Sequence, residues 1–201
     1  MVENMVQKIL KFRDLTKDEI EVRVQSVKAN GLVLLLYKNA RCDMNILDET
    51  VGATNWRREH YECKGNLFCR VGIRCVEIAV DGITATEKII RDEWVWKSDC
   101  GTESNTEAQK GEASDSFKRA CVNWGLGREL YTSPFIWVKA EKCDITEGKN
   151  GTKQCSDKFE VEKIIIENKK IVALSIMNTT KRVRAFVWQD EEWKNANNRE
   201  N

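Results

Sequence analysis

The clearest periodic pattern of the chain lies between Thr102 and Tyr131, where apolar residues recur at helical spacing. These residues are Ala113, Phe117, Ala120, Cys121 and Trp124. Such spacing places side chains on one face of an α-helix. Capping boxes that could open this helix are Ser104 with Glu107, or Thr106 with Gln109. Gly125 and Gly127 are typical of its end. The pattern predicts an amphipathic helix of about five turns.

A second face of the same helix is polar. Lys110, Ser114 and Lys118 stand four residues apart and therefore stack along the helix. Exposed lysines on a helix are usually only solvated, and Asp115 four residues before Arg119 resembles an ordinary intrahelical pair. The alternative is a surface that offers ammonium and hydroxyl groups to a ligand.

The N-terminal segment favours helices followed by one strand. Residues 3–12 predict a short helix, and Thr16 with Glu19 forms a capping box for a second helix, which Gly31 breaks. The continuous apolar run LVLLLY at 32–37 is typical of a short strand buried on both faces.

Another amphipathic helix is predicted after this strand. Met44 and the apolar residues three and seven positions after it precede Gly52, a helix-ending residue. Arg41 stands in the first turn, where a cation opposes the helix dipole. Either an approaching phosphate or an ion pair with Asp43 or Glu49 would account for an arginine there.

From Trp56 onwards the apolar residues alternate, which is the period of β-strands. Strands are predicted at 56–63 and 67–80, joined by the turn CKGN, and a hairpin turn at 81–82 leads to a third. This third strand is expected to be interrupted by the charged stretch EKIIRDE before it ends in WVWKSD. Three antiparallel strands and the long helix form a predicted βββα unit, whose helix covers the apolar face of the sheet.

The C-terminal part predicts a β-meander of three short strands, FEVEKIIIE, KIVALSIMN and RVRAFVW. The predicted fold class is α+β: a three-stranded antiparallel sheet packed on a long helix, with flanking N-terminal helices and this meander. Residues 1–140 are predicted to form the core domain, and 153–190 the meander that packs on it or extends it. Residues 191–201 are predicted to be a disordered polar tail.

Composition limits the function. Lysine and arginine number 33 against 32 acidic residues, a formal charge of +1, so a nucleic-acid site must be local or repeated around an oligomer. A signal-peptide layout and a run of about 18 apolar residues are both missing, which favours the cytoplasm. Eight cysteines without a C-x-x-C pair, beside the single histidine His60, argue against a zinc site and for reduced thiols.

Sequence motifs of catalysis are also missing. No phosphate-binding P-loop occurs, so no nucleotide cofactor is expected. The nearest acid–lysine pair, Glu147 and Lys149, lies in a glycine-bearing loop that is poorly suited to holding metal ions rigidly. A metal-dependent nuclease is therefore retained only as the enzymatic alternative, and no catalytic or metal-binding residue is predicted.

The sequence KGEASDSFKRACVNWG at 110–125, followed by LGRELY, resembles the signature helix of the RAD-fifty-two family of single-strand annealing proteins. The resemblance is greatest to the small forms of bacteria and their phages, and YKNARCDMNILDETVGATNW at 37–56 extends it. It implies a βββα core that assembles into rings or helical filaments. It also implies that single-stranded DNA is held by its backbone in a basic groove, with the bases outward and without a nucleotide cofactor.

The resemblance also implies site residues. The positions that match backbone-contacting residues of the family are Arg41, Lys110, Ser114, Lys118 and Arg119. Val122 stands where the family often has another basic residue, so Arg57 and Arg58 are added as candidates. Tryptophans can stack on bases, but Trp94 and Trp96 at strand positions are more typical of a core.

The predicted function is that of a cytoplasmic, non-enzymatic protein that binds single-stranded DNA without sequence preference and anneals complementary strands in recombination or repair. Expected partners are single-stranded DNA, its complementary strand and further copies of the chain. A single-strand-binding protein or a recombinase is a further candidate, and no membrane partner is expected. The alternative from a different class is a structural or regulatory oligomer of the same fold that does not bind DNA.

Overall fold

The computed structural model describes residues 4–5, 10–80, 87–102 and 108–197. Its strands and helices, in chain order, are β1 (Asn4–Met5), β2 (Glu21–Lys28), β3 (Gly31–Tyr37), α1 (Ala40–Val51), β4 (Trp56–Cys63), β5 (Asn66–Val80), β6 (Glu87–Cys100), α2 (Ala108–Trp124), β7 (Ile136–Lys139), β8 (Thr146–Glu147), β9 (Lys153–Gln154), β10 (Phe159–Glu167), β11 (Lys170–Asn178), β12 (Val183–Gln189) and α3 (Glu191–Asn197). The fold class is α+β with mostly antiparallel sheets, as the sequence predicted.

The chain forms two compact units that interleave along the sequence. The first unit consists of Met1–Arg13 and Ala40–Leu126, and the second of Asp14–Asn39 and Gly127–Asn201. The predicted domains, 1–140 and 153–190, follow one another along the chain instead. Compact units are defined by contacts and not by independent folding, so that domain division stays a prediction.

The sheet of the first unit consists of β4, β5 and β6, which pair in antiparallel fashion. Cys69, Val71 and Ile73 alternate along β5 onto one face and are almost completely buried. β1 adds a fourth strand, whereas the sequence predicted three. The physical reason is the length of β5, which extends beyond its pairing with β4 and leaves an edge for β1 at Ala79 and Val80.

Helix α2 covers the buried face of this sheet through contacts with β5 and β6. Phe117, Ala120 and Cys121 of its predicted apolar stripe have no exposed surface. Leu126 donates its N–H to the carbonyl oxygen of Cys121 at 3.1 Å, which ends the helix at the predicted glycine position. Residues 103–107, which hold most of the predicted capping boxes, and the predicted turn at 81–82 lie outside the described residues.

The prediction of flanking N-terminal helices is wrong for the described residues. Asn4–Met5 pairs as a strand with β5. Thr16 and Glu19 do form a capping box, but it opens only a 3-10 turn. β2 follows at once, because its valines alternate and pair with the apolar strand β3, for example Val24 with Leu34. A strand as apolar as β3 needs a partner for its backbone groups, and this pairing overrides the helical spacing.

The third strand is continuous, although the sequence predicted an interruption at its charged stretch. The charged residues there face charged residues of β5. Arg91 lies 3.0 Å from Glu77, and Arg74 lies 2.6 Å from Asp92. The Arg74 guanidinium lowers the pKa of the Asp92 carboxyl. Cross-strand pairs of opposite charge are favourable, so the stretch remains in the sheet.

The second unit is built on a six-stranded sheet in the order β12-β11-β10-β2-β3-β7. β10, β11 and β12 form the predicted meander, and β10 joins it to β2 at Glu160 and Glu21. The meander therefore extends a sheet that strands from the N-terminal part of the chain begin. Its buried side chains include Leu32, Leu34, Ile136, Val138, Ile171, Leu174 and Ile176.

A buried carboxylate lies beside this sheet. Glu129 has no exposed surface, and its Oε1 accepts the N–H of Leu15 at 2.8 Å. Its Oε2 lies 3.8 Å from Nζ of Lys169. Nearby, Gly127 has a φ of 61°, and a Cβ there would collide with the stem of the buried Lys38. Glycine is therefore required at position 127 by both conformation and space.

The C-terminal residues 191–197 form α3, where the sequence predicted a disordered tail. Asp190 caps this helix, since its Oδ1 accepts the N–H groups of Glu192 and Trp193 at 3.1 and 3.2 Å. The indole Nε1 of Trp193 also donates to Glu167 at 2.7 Å. An aspartate at the N-cap and an anchored tryptophan stabilise a segment whose composition alone indicated disorder.

Candidate nucleic-acid interface

Helix α2 contains all three residues of the predicted polar face. Lys110, Ser114 and Lys118 all lie within α2, at successive turns of one face. Ser114 and Lys118 are half-buried. Among the residues that the structure describes, Lys118 forms no ion pair. No carboxylate of the described chain therefore neutralises its ammonium group.

Arg119 is held by the sheet. Its Nε lies 3.4 Å from Oδ1 of Asp99 near the end of β6, and the same oxygen accepts the N–H of Cys100 at 2.7 Å. Asp115, which the sequence offered as an intrahelical partner, accepts hydrogen bonds from Thr102 at 3.1 Å. A phosphate that approaches Arg119 would therefore compete with Asp99, and both side chains are partly exposed.

Arg57 and Arg58 lie on opposite faces of the first unit's sheet, because neighbouring residues of a strand alternate. The guanidinium of Arg58 lies 4.8 Å from the ring centroid of Phe117, on the side of α2. The guanidinium of Arg57 lies 4.1 Å from the ring of Trp94 and 4.8 Å from that of Trp96. The structure thus brings Arg58, but not Arg57, to the helix.

Two further side chains join the sheet to α2 and were not among the site residues predicted from the sequence. His60, two residues after Arg58 on the same face of β4, lies with Nε2 3.1 Å from the carbonyl oxygen of Ala113. Lys97 of β6 donates to the carbonyl oxygen of Asn123 at 2.8 Å, and its ammonium lies 4.6 Å from the ring of Trp124. Side chains alternate between the two faces along β4 and β6, and this alternation could have predicted that His60 and Lys97 lie on the face that α2 covers.

Arg41 is the second residue of α1 and is exposed. α1 contacts both α2 and β4. The contacts of α1 are made by a buried side that includes Cys42, Ile46 and Leu47, which fixes the helix within the first unit. Arg41 therefore belongs to the same compact unit as the polar face of α2.

Burial and charge act in opposite directions on one thiol of this region. Burial raises the pKa of Cys69 to about 11, while the positive charge of Arg58 tends to lower it. A thiol with a pKa this high stays protonated near neutral pH, so Cys69 acts as a small apolar side chain between the sheet and α2. The eight cysteines are all free thiols.

The enzymatic alternative depends on a metal site. Within the described ranges, no three His, Cys, Asp or Glu side chains converge on a position that could hold a metal ion. Glu147 of the acid–lysine pair lies in the short strand β8, where its carboxylate is 3.4 Å from Nζ of Lys153. This pairing directs Glu147 to the neighbouring strand β9.

Comparison with known proteins identifies a family. The family model described as "Rad52/22 family double-strand break repair protein" matches residues 3–150, about three-quarters of the chain. No curated protein and no solved structure matches the chain. None of the helices in the described part of the chain has the length and apolar character needed to cross a membrane.

Proposed function

The chain belongs to the Rad52/22 family of double-strand break repair proteins, and from this premise we propose that it binds single-stranded DNA and anneals complementary strands. Membership in the family implies a role in DNA repair and recombination. The proposal adds that the protein acts as a non-enzymatic oligomer in the cytoplasm and needs no ATP. The bacterial and phage forms are the expected functional counterparts.

The observation that carries this proposal is the polar face of α2. Lys118 has no ion-pair partner among the described residues, and Ser114 stands one turn before it. Ammonium and hydroxyl groups bind phosphate oxygens without reading the base sequence. Arg58 lies beside Phe117 of the same helix and extends the cationic surface onto β4. Lys110, Arg119 and Arg41 are proposed as further backbone contacts.

The formal charge of +1 requires that this surface act through repetition. A single chain offers only a few cations, which is little for a flexible, highly charged strand. A ring or filament of identical chains would place one such face after another along the DNA backbone. The strong salt dependence of phosphate binding would then multiply with the number of chains engaged. Residues 1–140 are proposed as the part of the chain that supplies this core.

Annealing follows from contacts that are made only to the backbone. A strand held by its phosphates keeps its base edges free to pair with a complementary strand. Base pairing itself then supplies the driving force, so no hydrolysis step is needed. A single-strand-binding protein or a recombinase is the expected source of the strand, or the expected recipient of the product.

A salt titration tests the proposal. We expect the logarithm of the affinity for a single-stranded oligonucleotide to fall linearly with the logarithm of the salt concentration. We also expect complementary oligonucleotides labelled with a fluorophore and a quencher to anneal faster with the protein than without it, in the absence of ATP and of divalent metal.

The alternative is a structural oligomer that does not bind DNA, which the ion pair between Arg119 and Asp99 would suit. A protein that assembles but shows no binding at low salt, and no acceleration of annealing, would support this alternative and refute the proposal.

A further inference from the structure

The face of the first unit's sheet that points away from α2 carries four aromatic side chains. The sequence assigned Trp94 and Trp96 to the core, but both are only half-buried on this face. Their ring centroids are 6.3 Å apart. Tyr61 stacks on Phe68 at 5.6 Å and is 40% exposed. We call these four residues, together with Arg57, the aromatic face.

The strand register shows that these residues share one face. Tyr61 pairs with Phe68, and Gly72 pairs with both Arg57 and Trp96. A Cβ at position 72 would lie 2.9 Å from the ring of Trp96, so that ring lies directly over the backbone of Gly72. A glycine at this position lets the indole lie against the sheet. The guanidinium of Arg70 lies 4.5 Å from the centroid of the same ring.

The charges on the aromatic face favour an anionic ligand. Arg70 is neutralised by Glu59 at 2.6 Å, and Arg74 by Asp92 at 2.6 Å. Within the described ranges, Arg57 forms no ion pair, and its guanidinium is held against Trp94 and the neighbouring indole. An arginine stacked on an aromatic ring keeps its N–H groups at the rim, where they can bind a phosphate.

We propose that the aromatic face is a second binding surface for single-stranded DNA, one that contacts the bases. Aromatic rings stack on any base, and arginine planes extend the stack, so such a surface binds without sequence preference. The main competing occupant is a second copy of the chain. The core of a protein interface is depleted of charged residues, whereas Glu59, Arg70, Arg74 and Asp92 stand among these rings. This inference does not depend on the role of α2.

The test separates contacts to bases from contacts to phosphates. Affinities are measured for a dT oligonucleotide and for an abasic deoxyribose-phosphate oligomer of the same length. We expect the wild-type protein to prefer the dT oligonucleotide by about tenfold for each base that stacks. The double variant Trp94→Leu/Trp96→Leu should lose most of this preference, while Lys118→Ala should weaken both oligomers alike. Trp188→Leu, a half-buried tryptophan of the second unit, is the matched control.

Each outcome decides the proposal. Wild-type protein that binds both oligomers equally, or a double variant that keeps the preference, overturns it. A double variant that keeps the preference but changes its oligomeric mass assigns the face to contacts between copies. If the double variant does not fold, as judged by circular dichroism, Tyr61→Leu and Arg57→Gln replace it, because both residues are exposed. The role of α2 fails separately, when Lys118→Ala leaves both affinities unchanged.

Discussion

Replacing Lys118 by alanine removes one cation from the polar face of α2. The described structure gives this ammonium no ion-pair partner, so its removal leaves no carboxylate of the described residues unpaired. Alanine favours helices at least as strongly as lysine does, so α2 should persist. The variant therefore changes the charge of the surface with little change in the fold, and its effect reports on DNA binding.

The magnitude follows from counterion release. On a single strand, each neutralised phosphate contributes about 0.7 to the slope of log affinity against log salt. Losing one contact should lower the slope by about 0.7 for each chain engaged, and at 0.1 M salt the affinity should fall roughly fivefold per chain. In the proposed assembly several chains hold one strand, so these factors multiply, and most annealing activity should be lost.

Fluorescence anisotropy with a labelled dT oligonucleotide at several salt concentrations gives both the affinity and the slope. Lys118→Arg is expected to keep the slope, because it keeps the charge. Lys163→Gln, an exposed lysine of β10, controls for a general loss of charge. Circular dichroism and thermal unfolding monitor the fold. An unchanged slope in a folded Lys118→Ala variant would refute the phosphate contact, and a loss of fold would show that the lysine is structural.

Three further predictions follow from single contacts. Asp99→Asn should remove the ion pair between Asp99 and Arg119 and tighten single-stranded DNA binding by about twofold to fivefold; weaker binding in the same anisotropy assay would show instead that this ion pair positions the arginine productively. Gly127→Ala should lower the free energy of unfolding by about 2 kcal/mol in denaturant titrations, and an unchanged midpoint would contradict the required left-handed conformation. At pH 7.5 a maleimide should label the exposed Cys63 well before Cys69, whose raised pKa of about 11 keeps the thiol protonated. Equal labelling rates would contradict the burial of Cys69. Because the raised pKa favours the neutral thiol in the folded state, any stability that it contributes should be lost only as the pH rises above about 9 toward 11.

The sequence was most informative where one periodicity dominated. The stripe of α2 and the alternation in β4 and β5 were predicted correctly, because a single buried face fixes both patterns. The N-terminal helices were wrong because Ile20, Val24 and Val27 have intervals compatible with a helix, while the unpaired backbone of β3 required a neighbouring strand. Such a requirement becomes visible only once the strands are assembled.

The candidate site shows the same division. The sequence placed Lys110, Ser114 and Lys118 on one helical face, since helix geometry alone determines that arrangement. It could not decide that Arg119 pairs with Asp99, because those residues meet only when α2 lies across β6. The packing of the elements decides which neighbouring charges neutralise a cation. The spacing of residues along the chain does not reveal this.

The sequence by itself determined the elements in which one periodicity dominates, because a helical or strand period is visible within a short stretch. Its resemblance to a known family predicted the class of ligand. The tertiary structure decided which arginine lies on which face of the first unit's sheet. Arg57 and Arg58 are adjacent in the chain, yet the pleat of β4 directs one to Trp94 and the other to Phe117. A sheet has two faces, and only the position of the helix that covers one of them reveals which side remains exposed to a partner.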